Sequence, residues 1–313
     1  MAAIVELVDV TKRYATVTAL SRASLAVEPG TMYGLIGPDG AGKTTTIRLM
    51  AGLLTPDGGS IRVAGHDPVR NRGEVTARVG YLSQRFSLYG DLSIDENVAF
   101  FAEIHGVTDF RQRRDSLLAL TQLTSFRSRL ADRLSGGMKQ KLALVCTLVH
   151  EPELLLLDEP TTGVDPVARR EFWKLLSELL SRGLTIVMAT PYLDEAERCQ
   201  RVALLHDGRV LAQETPADLR RGYEGAIAEL VARPHRLATA ALDGWTEYAD
   251  YQTFGERIHV RLRSSDAAHA LEPLRARLAT TSLAVDELRL VEPTLEDVFI
   301  DRLRQLEEPA VTS

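Results

Sequence analysis

The chain has 313 residues, of which 45% are hydrophobic and 26% charged, and its net charge is −6. This length predicts about two domains with a substantial core, and the composition is that of an ordinary globular protein. The acidic balance gives no reason to expect a nucleic-acid partner. Cys146 and Cys199 are too few for a disulfide framework and are typical of a reducing compartment.

The hydropathy pattern predicts neither a signal peptide nor a membrane span. Acidic residues interrupt the first apolar run, at residues 4–10. No segment approaches the roughly 18 to 20 uninterrupted apolar residues that a spanning helix needs. If the protein acts at a membrane, we therefore expect another chain to cross it.

Strands and helices alternate along the first two thirds of the chain. Strands that are apolar throughout and alternate with helices indicate a largely parallel sheet covered on both faces. The predicted segments, in order, are strands at 4–10, 23–28 and 31–37, a helix through 47–54, short strands within 61–82, mixed helical structure over 93–130, a helix at 138–149, a strand at 153–160, a helix at 166–181 and a strand at 186–189, with a helix from Tyr192 onward.

The character of the chain changes near Gly222, where a second domain is predicted to begin. Its predicted elements are strands at 226–232 and 246–263, a helix at 265–279 and a strand at 284–291. The expected fold class is therefore α/β, with a first domain over 1–220, a helical subdomain at about 90–145 and a small C-terminal α/β appendage over 221–313.

Residues 37–44, Gly-Pro-Asp-Gly-Ala-Gly-Lys-Thr, fit the phosphate-loop pattern G-x-x-x-x-G-K-[ST] between a strand and a helix. The glycines allow successive backbone N–H groups to point at phosphate oxygens, and the helix N-terminus adds positive potential. Lys43 would supply charge to the β- and γ-phosphates, and Thr44 a hydroxyl to Mg²⁺. The nucleotide contacts expected here are Gly37, Asp39, Gly40, Ala41, Gly42, Lys43, Thr44 and Thr45.

Asp158 and Glu159 follow the apolar run Leu154–Leu157, at the carboxyl end of a predicted strand. Ligands bind at this edge of open parallel sheets. We expect Asp158 to hold the metal through water, and Glu159 to orient or deprotonate the attacking water. An isolated acidic pair at a strand end is more often a helix cap or a solvated turn, but the phosphate loop favours the catalytic interpretation.

A third motif, Leu134–Gln140, reads Leu-Ser-Gly-Gly-Met-Lys-Gln and opens a helix before Asp158. Its residues Ser135, Gly136 and Gly137 predict a second anion-binding helix start, which one chain does not need for one triphosphate. Together with the phosphate loop, LLLLDEP and VDP, the motif resembles the ATP-binding-cassette (ABC) ATPases over residues 1 to about 220. The resemblance implies a P-loop NTPase of the ABC type, with a mixed sheet and a helical subdomain, that binds ATP and Mg²⁺.

The same resemblance implies a second subunit and further site residues. Two cassettes would stack head to tail, with each nucleotide between one chain's phosphate loop and the partner's Leu-Ser-Gly-Gly motif. Tyr14 would stack on adenine, although a half-buried aromatic at a strand end is the alternative. Gln84 would touch Mg²⁺ or water and report to a transmembrane subunit, and Asp165 would belong to the loop that crosses to the partner's site.

Three apolar residues follow Gln84 and would be costly to expose as one patch: Phe86, Leu88 and Tyr89. We expect them to be candidates for the surface on which the transmembrane subunit docks. Core packing in the helical region explains any one of them equally well.

The corner after strand 186–189 departs from the family pattern. Where the family usually has T-H-x-x-x-E-A-E, with a histidine that reaches the γ-phosphate and the attacking water, residues 190–197 read Thr-Pro-Tyr-Leu-Asp-Glu-Ala-Glu. We expect Thr190 to cap the next helix, with Pro191 at its first position. Losing one preorganised donor costs about 2.7 to 4 kcal/mol of transition-state stabilisation, so the site should bind ATP and hydrolyse it slowly. Tyr192 is a weaker candidate to replace the histidine.

Residues 291–299, Val-Glu-Pro-Thr-Leu-Glu-Asp-Val-Phe, resemble the C-terminal extension of ABC-2-type exporter ATPases, the bacterial drug-efflux and drug-resistance group. A terminal amphipathic helix that docks on its own domain is the alternative. The cassette also resembles the N-terminal cassette of a tandem multidrug-exporter ATPase that lacks the histidine. This resemblance implies export of a hydrophobic compound through transmembrane permease subunits, from the cytoplasmic face of a bacterial-type membrane.

Because Glu159 and the Leu-Ser-Gly-Gly motif are intact, we expect the chain to be able to complete a competent site on another cassette. We therefore favour a heteromeric or tandem arrangement, with this chain as the slower, regulatory half, over a homodimer. DNA-repair and chromosome-associated cassettes carry long coiled-coil insertions, whereas Lys43 and Asp158 are 115 residues apart without sustained heptads. Translation-associated proteins carry two cassettes in one chain. Because of Pro191, a third hypothesis is retained, in which the chain is an ATP-gated structural subunit with negligible turnover.

Overall fold

The computed structural model describes residues 2–84, 87–243, 245, 248–262 and 270–307. Phe86 and the first part of the helix predicted at 265–279 lie outside these residues. The chain divides into two compact units, Met1–Pro216 and Ala217–Ser313. No helix within the described ranges is long and apolar enough to span a bilayer.

The first unit contains nine strands and seven α-helices among the residues that the structure describes. The strands are β1 (Val5–Tyr14), β2 (Val17–Val27), β3 (Met32–Ile36), β4 (Gly58–Val63), β5 (Val79–Leu82), β6 (Leu154–Asp158), β7 (Thr185–Thr190), β8 (Arg201–His206) and β9 (Arg209–Glu214). The helices are α1 (Lys43–Met50), α2 (Arg72–Arg78), α3 (Ile94–Ile104), α4 (Arg111–Leu120), α5 (Gly136–Leu148), α6 (Pro166–Ser181) and α7 (Leu193–Ala196). Helix α8 (Pro216–Arg221) follows at the division between the units.

A six-stranded sheet with the order β5-β6-β7-β3-β8-β9 forms the centre of the first unit. Its neighbours are parallel except for the antiparallel pair β8–β9. Every residue of β3, β6 and β7 is buried, as expected for strands covered on both faces. A separate antiparallel sheet, β2-β1-β4, shares one hydrophobic cluster with this sheet and with α1. The predicted mixed α/β fold is therefore confirmed.

The strand order determines which loops meet at the carboxyl edge of the central sheet. Because β7 lies between β6 and β3, the segment after β7 is flanked by the segments after the other two strands. The pairings Ile36 with Thr190 and Asp158 with Ala189 bring the three strand ends level. The phosphate loop, Pro191 and the acidic pair consequently occupy neighbouring positions.

The second unit is built on an antiparallel sheet with the order β11-β12-β10-β13. One face carries a hydrophobic cluster that includes Leu230, Val260 and Leu274. The helix α9 lies in a part of the sequence for which no helix was predicted, whereas the strands broadly follow the prediction. The elements are β10 (Ala226–Arg233), α9 (His235–Leu242), β11 (Tyr248–Phe254), β12 (Arg257–Leu262), α10 (Leu271–Ala279), β13 (Ala284–Val291) and α11 (Leu295–Glu307).

Ion pairs join the terminal helix α11 to the sheet of its own unit. His259 on β12 lies between two carboxylates, 3.6 Å from Glu229 and 3.5 Å from Asp297 of α11. Arg261 on the same strand pairs with Asp301, also on α11. The LEDVF segment therefore lies on an amphipathic helix that docks on its own domain, which is the alternative considered for it above.

Two stacked histidines join the end of α3 to the residues after α5. The rings of His105 and His150 are nearly parallel, with centroids 3.8 Å apart. Burial, together with the neighbouring His105, lowers the pKa of His150 to about 4. The ordinary histidine pKa is about 6.5, so between these values the unfolded chain binds a proton that the folded chain does not. Folding stability must therefore fall as the pH decreases from about 6.5 towards about 4.

We expect His150→Gln to remove much of this acid sensitivity, because glutamine cannot be protonated. Between pH 7 and pH 4 the wild type should lose on the order of 2 kcal/mol more of its free energy of unfolding than the variant does. Urea unfolding followed by circular dichroism at both pH values measures the difference. Equal losses in the two proteins would contradict the assignment to His150.

Candidate nucleotide site

A cavity of about 540 Å³ opens at the carboxyl edge of the central sheet. Segments that are distant in sequence line it, because the strand order brings their loops together. The lining residues are Tyr14, Ala19, Asp39, Gly40, Gly42, Lys43, Thr44, Thr45, Gln84, Glu159, Thr162, Pro191 and Tyr192. Most of the predicted nucleotide contacts thus face one space, whereas Gly37 and Ala41 are not among its lining residues.

The phosphate loop wraps around its own lysine. Lys43 is the first residue of α1 and is only 3% exposed. Its Nζ donates to the backbone carbonyls of Gly37, at 2.9 Å, and Pro38, at 3.0 Å. The same nitrogen lies 3.3 Å from Oε1 of Glu159. A buried ammonium so close to the start of a helix gives the loop a concentrated positive potential.

Thr44 and Asp158 form a pair of oxygen groups beside the loop. The Thr44 hydroxyl donates to Oδ1 of Asp158 at 2.8 Å. Asp158 is fully buried, and its Oδ2 has no hydrogen-bond partner within the described residues. Burial raises the pKa of Asp158, while the Thr44 hydroxyl opposes the rise. A buried carboxylate oxygen without a partner, next to a hydroxyl, fits Mg²⁺, a hard cation that prefers oxygen ligands.

Glu159 occupies a strained position immediately after β6. Its φ of 50° lies in the left-handed region, which non-glycine residues rarely adopt outside turns and functional sites. Its carboxylate accepts hydrogen bonds from Nε2 of Gln84, at 3.1 Å, and from the Thr162 hydroxyl, at 3.4 Å. The three residues predicted to be catalytic, Lys43, Gln84 and Glu159, are therefore in mutual contact through Glu159.

Thr162 was missed by the sequence analysis. It follows the acidic pair by only three residues, and its hydroxyl helps to orient Glu159. The signal that could have found it is its position in the turn that follows β6, because a hydroxyl residue there can reach back to a side chain at the strand end.

The corner after β7 differs from the prediction. The Thr190 hydroxyl accepts a hydrogen bond from the backbone N–H of Tyr192, at 3.1 Å, and so closes a turn across Pro191. The short helix α7 begins only at Leu193, with Tyr192 at its N-cap position and no side-chain cap. The expectations that Thr190 caps the helix, that Pro191 is its first residue and that it begins at Tyr192 are therefore wrong. Pro191 itself borders the cavity with an apolar ring.

Four of the predicted nucleotide contacts lie at two helix starts, and these starts do not line this cavity. They are Ser135, Gly136 and Gly137 at the start of α5 and Asp165 at the start of α6. Ser135 caps α5 by accepting from the backbone N–H of Met138, at 3.3 Å. Asp165 caps α6 by accepting from two backbone N–H groups at 3.0 Å. The two starts are neighbours, because a Cβ on Gly137 would lie 2.7 Å from that of Ala168. Gly136, in contrast, has open space around its Cα.

Tyr14 stands at the end of β1 and borders the cavity with 42% of its surface exposed. Nζ of Lys12 lies 5.6 Å from the centre of its ring. This ring is therefore available for stacking from the solvent side, as predicted for an adenine contact, and the assignment of that contact stays a prediction.

Comparison with known proteins identifies the family. Residues 20–162 match the ABC transporter family. The chain is 35% identical to the daunorubicin resistance ATP-binding protein DrrA3 of Streptomyces coeruleorubidus, over 92% of each chain. This chain belongs to the ABC transporter ATP-binding proteins. The predicted relation to drug-efflux and drug-resistance ATPases is thereby confirmed.

A second relative is longer than this cassette. The chain is 40% identical to the probable multidrug ABC transporter ATP-binding protein YbhF of Escherichia coli (strain K12), over 91% of this chain and 49% of that protein. This chain therefore spans about half the length of YbhF.

Solved structures agree with the fold. One, described as the ATP binding subunit of an ABC transporter, is 32% identical, with a TM-score of 0.64 over 70% of this chain and 92% of that chain. Another is a dimeric ATP-binding cassette in a post-hydrolysis state with ADP and phosphate. It is 26% identical, with a TM-score of 0.60 over 67% of this chain and 98% of that chain.

We expect Gly42→Ala to weaken ATP binding by at least about tenfold, since its new Cβ would lie 2.6 Å from the carbonyl oxygen of Ala19 at a φ of 101°. Gly30→Ala is the matched control, because Gly30 also has a positive φ, 69°, but open space around it. The control should lose about 1 kcal/mol of stability and bind ATP normally. Equilibrium titration with a fluorescent ATP analogue distinguishes the two, and equal affinities would contradict the proposed loop geometry.

Proposed function

We propose that this chain is the ATP-binding and ATP-hydrolysing subunit of an ABC-2-type export system, driving transmembrane permease subunits to export a hydrophobic compound or drug. The observation that carries the proposal is the meeting of Lys43, Thr44 and Glu159 at one cavity, with buried Asp158 hydrogen-bonded to Thr44. The names of its relatives, multidrug and daunorubicin resistance ATP-binding proteins, support the drug class. The subunit would work as a peripheral protein on the cytoplasmic face of a bacterial-type membrane.

The residues around the cavity suit phosphoryl transfer to water. The N–H groups at the start of α1 and the Lys43 ammonium would bind the phosphates, with Lys43 exchanging its loop carbonyls for phosphate oxygens. Thr44 and Asp158 would hold Mg²⁺, with Gln84 as a further ligand; the ion would neutralise charge on the phosphates. Glu159 would orient the attacking water and take its proton.

Pro191 makes this chemistry slow. It lies between the phosphate loop and Glu159, where a polar side chain could reach both the γ-phosphate and the water. Proline has no side-chain donor and no backbone N–H. The phosphate loop that would bind ATP is therefore intact, while one donor that would stabilise the transition state is missing. The alternative is an ATP-gated regulatory cassette with negligible turnover.

We expect Pro191→His to raise the ATPase rate of the purified chain by roughly 10²- to 10³-fold, because an imidazole at this corner can donate to the developing charge. Pro191→Ala is the matched control: it restores the backbone N–H without an imidazole and should change the rate little. The ATPase rates of the wild type and the two variants are measured by the release of phosphate.

Glu159→Gln separates the slow enzyme from the regulatory alternative. It should abolish the residual wild-type hydrolysis while ATP still binds. A wild type that is already fast, and that Pro191→His leaves unchanged, would rule out the slow-site proposal. A wild-type rate indistinguishable from that of Glu159→Gln would favour the regulatory cassette.

A second cassette is the expected partner, and a different chain is preferred over a second copy. Ser135 and Asp165 organise helix starts that do not line their own cavity, which leaves them available to another nucleotide. A partner with its own histidine would gain a complete site from the intact motif of this chain. The chain's own site would then serve mainly to bind ATP and hold the pair together.

We expect Glu159→Gln to form a stable pair with ATP and Mg²⁺ and to return to single chains when EDTA removes the metal. Blocked hydrolysis keeps the bound ATP that joins the two cassettes. Light scattering after size exclusion measures the mass. Ser135→Arg in the same background should bind ATP but stay unpaired. A failure of Glu159→Gln to pair with ATP and Mg²⁺ present would overturn pairing between two copies of this chain and leave a different cassette as the partner.

The permease is expected to dock beside Gln84. Tyr89 is 45% exposed and contacts Phe100 edge to face, with ring centroids 4.5 Å apart. Buried Asn97 fixes the backbone of Tyr89 by donating to its carbonyl and accepting from its N–H. Tyr89 follows Gln84, which contacts Glu159, by five residues, so a permease that docks on Tyr89 would be linked to the nucleotide site through this segment. Leu88 is partly buried and would contribute less.

A further inference from the structure

Glu195 on α7 is fully buried and collects three donors on a single carboxylate oxygen. Its Oε1 accepts from the Thr161 hydroxyl at 2.6 Å, from Nε of Arg169 at 2.8 Å and from the indole N–H of Trp173 at 3.2 Å. In the sequence, Glu195 is notable only as part of the family pattern at residues 190–197.

The three donors come from two segments, the turn after β6 and the helix α6. Thr161 follows Glu159 by two residues, in the turn that leaves β6. Arg169 and Trp173 belong to the first turns of α6, whose cap is Asp165. Glu195 itself comes four residues after Pro191. One oxygen therefore joins the turn of Glu159, the start of α6 and the corner after β7.

Arg169 extends this connection to the wall of the cavity. Its Nη2 donates to both carboxylate oxygens of Asp194, at 3.1 and 2.9 Å. Its guanidinium carbon lies 4.9 Å from the ring centre of Tyr192, which is within cation–π distance, and Tyr192 lines the cavity. The side chain held by Glu195 thus contacts a residue of the nucleotide site.

The energetics of this cluster favour a positioning function over a purely stabilising one. Oε2 of Glu195 is buried and has no hydrogen-bond partner within the described residues, which is costly. A buried ion pair generally adds little stability compared with well-packed apolar side chains of the same volume. What this arrangement does provide is a fixed geometry among three segments, since each donor must approach the same atom.

We propose that Glu195 is a positioning residue for ATP hydrolysis: through Thr161 and Arg169 it fixes Glu159 relative to the corner of Pro191 and Tyr192. The proposal rests on the proposed function, because it concerns the same hydrolytic site. Glu195 touches neither the nucleotide cavity nor Glu159 directly. Its effect is on the rate at which bound ATP reacts and not on how tightly ATP is held, since the phosphate loop makes none of these contacts.

Glu195→Gln tests the proposal, measured in the full chain with and without Pro191→His. The amide keeps an oxygen for Thr161 and Trp173 but loses the charge that holds Arg169. We expect turnover to fall between about 10- and 100-fold, as small misplacements of a catalytic group do, with ATP affinity unchanged within about twofold. Glu197→Gln, an exposed glutamate on the same segment, is the matched control and should leave both quantities unchanged.

Trp173→Phe provides a second, milder variant in case Glu195→Gln does not fold. It removes one donor, keeps most of the packing and should lower turnover by about two- to fivefold at constant ATP affinity. Unchanged turnover in a folded Glu195→Gln, or a parallel loss of turnover and affinity, would overturn the positioning proposal alone. A wild type that neither binds nor hydrolyses ATP would instead overturn the proposed function.

Discussion

The position of strand β7 between β3 and β6 is the constraint on which the site depends. Parallel strands end at one edge of a sheet, so this order brings the phosphate loop, the corner at Pro191 and the acidic pair together. It also forces Lys43 and Asp158 into a buried environment, where isolated charges are expensive. The loop carbonyls and Glu159 compensate Lys43, whereas one oxygen of Asp158 has no hydrogen-bond partner in the part of the chain that the structure describes.

On the proposed function, the ion pair between Lys43 and Glu159 would connect nucleotide binding with catalysis. Both side chains are largely buried, so their attraction is weakly screened, and each helps to hold the other. On the proposed function, a γ-phosphate would compete with Glu159 for Lys43 because both are negative. Binding of ATP would then release the Glu159 carboxylate towards water, while Gln84 and Thr162 keep it oriented.

The sequence predicted well what local patterns determine. The bounds of α6 agree with the prediction because Asp165, Pro166 and an amphipathic repeat define its start and course. The corner after β7 was wrong because Thr190 bonds across Pro191 to Tyr192, a local competition that the pattern does not reveal. Helix α9 was missed because it is short and lies between strands. The burial of Glu195 was not predicted, because its three donors come from segments distant in sequence.

The corner of this site is rigid but poor in donors. Pro191 restricts the backbone, the Thr190 turn closes across it, and Glu195 holds the following residues to α6 through Arg169. Rigidity favours ATP binding because less conformational entropy is lost on forming the complex. Catalysis, however, requires interactions that strengthen only in the transition state, and an apolar ring offers none. On the proposed function, binding and turnover would therefore be separated at one residue: the surrounding network preserves the geometry of the site, while the side chain of Pro191 offers no donor to accelerate hydrolysis.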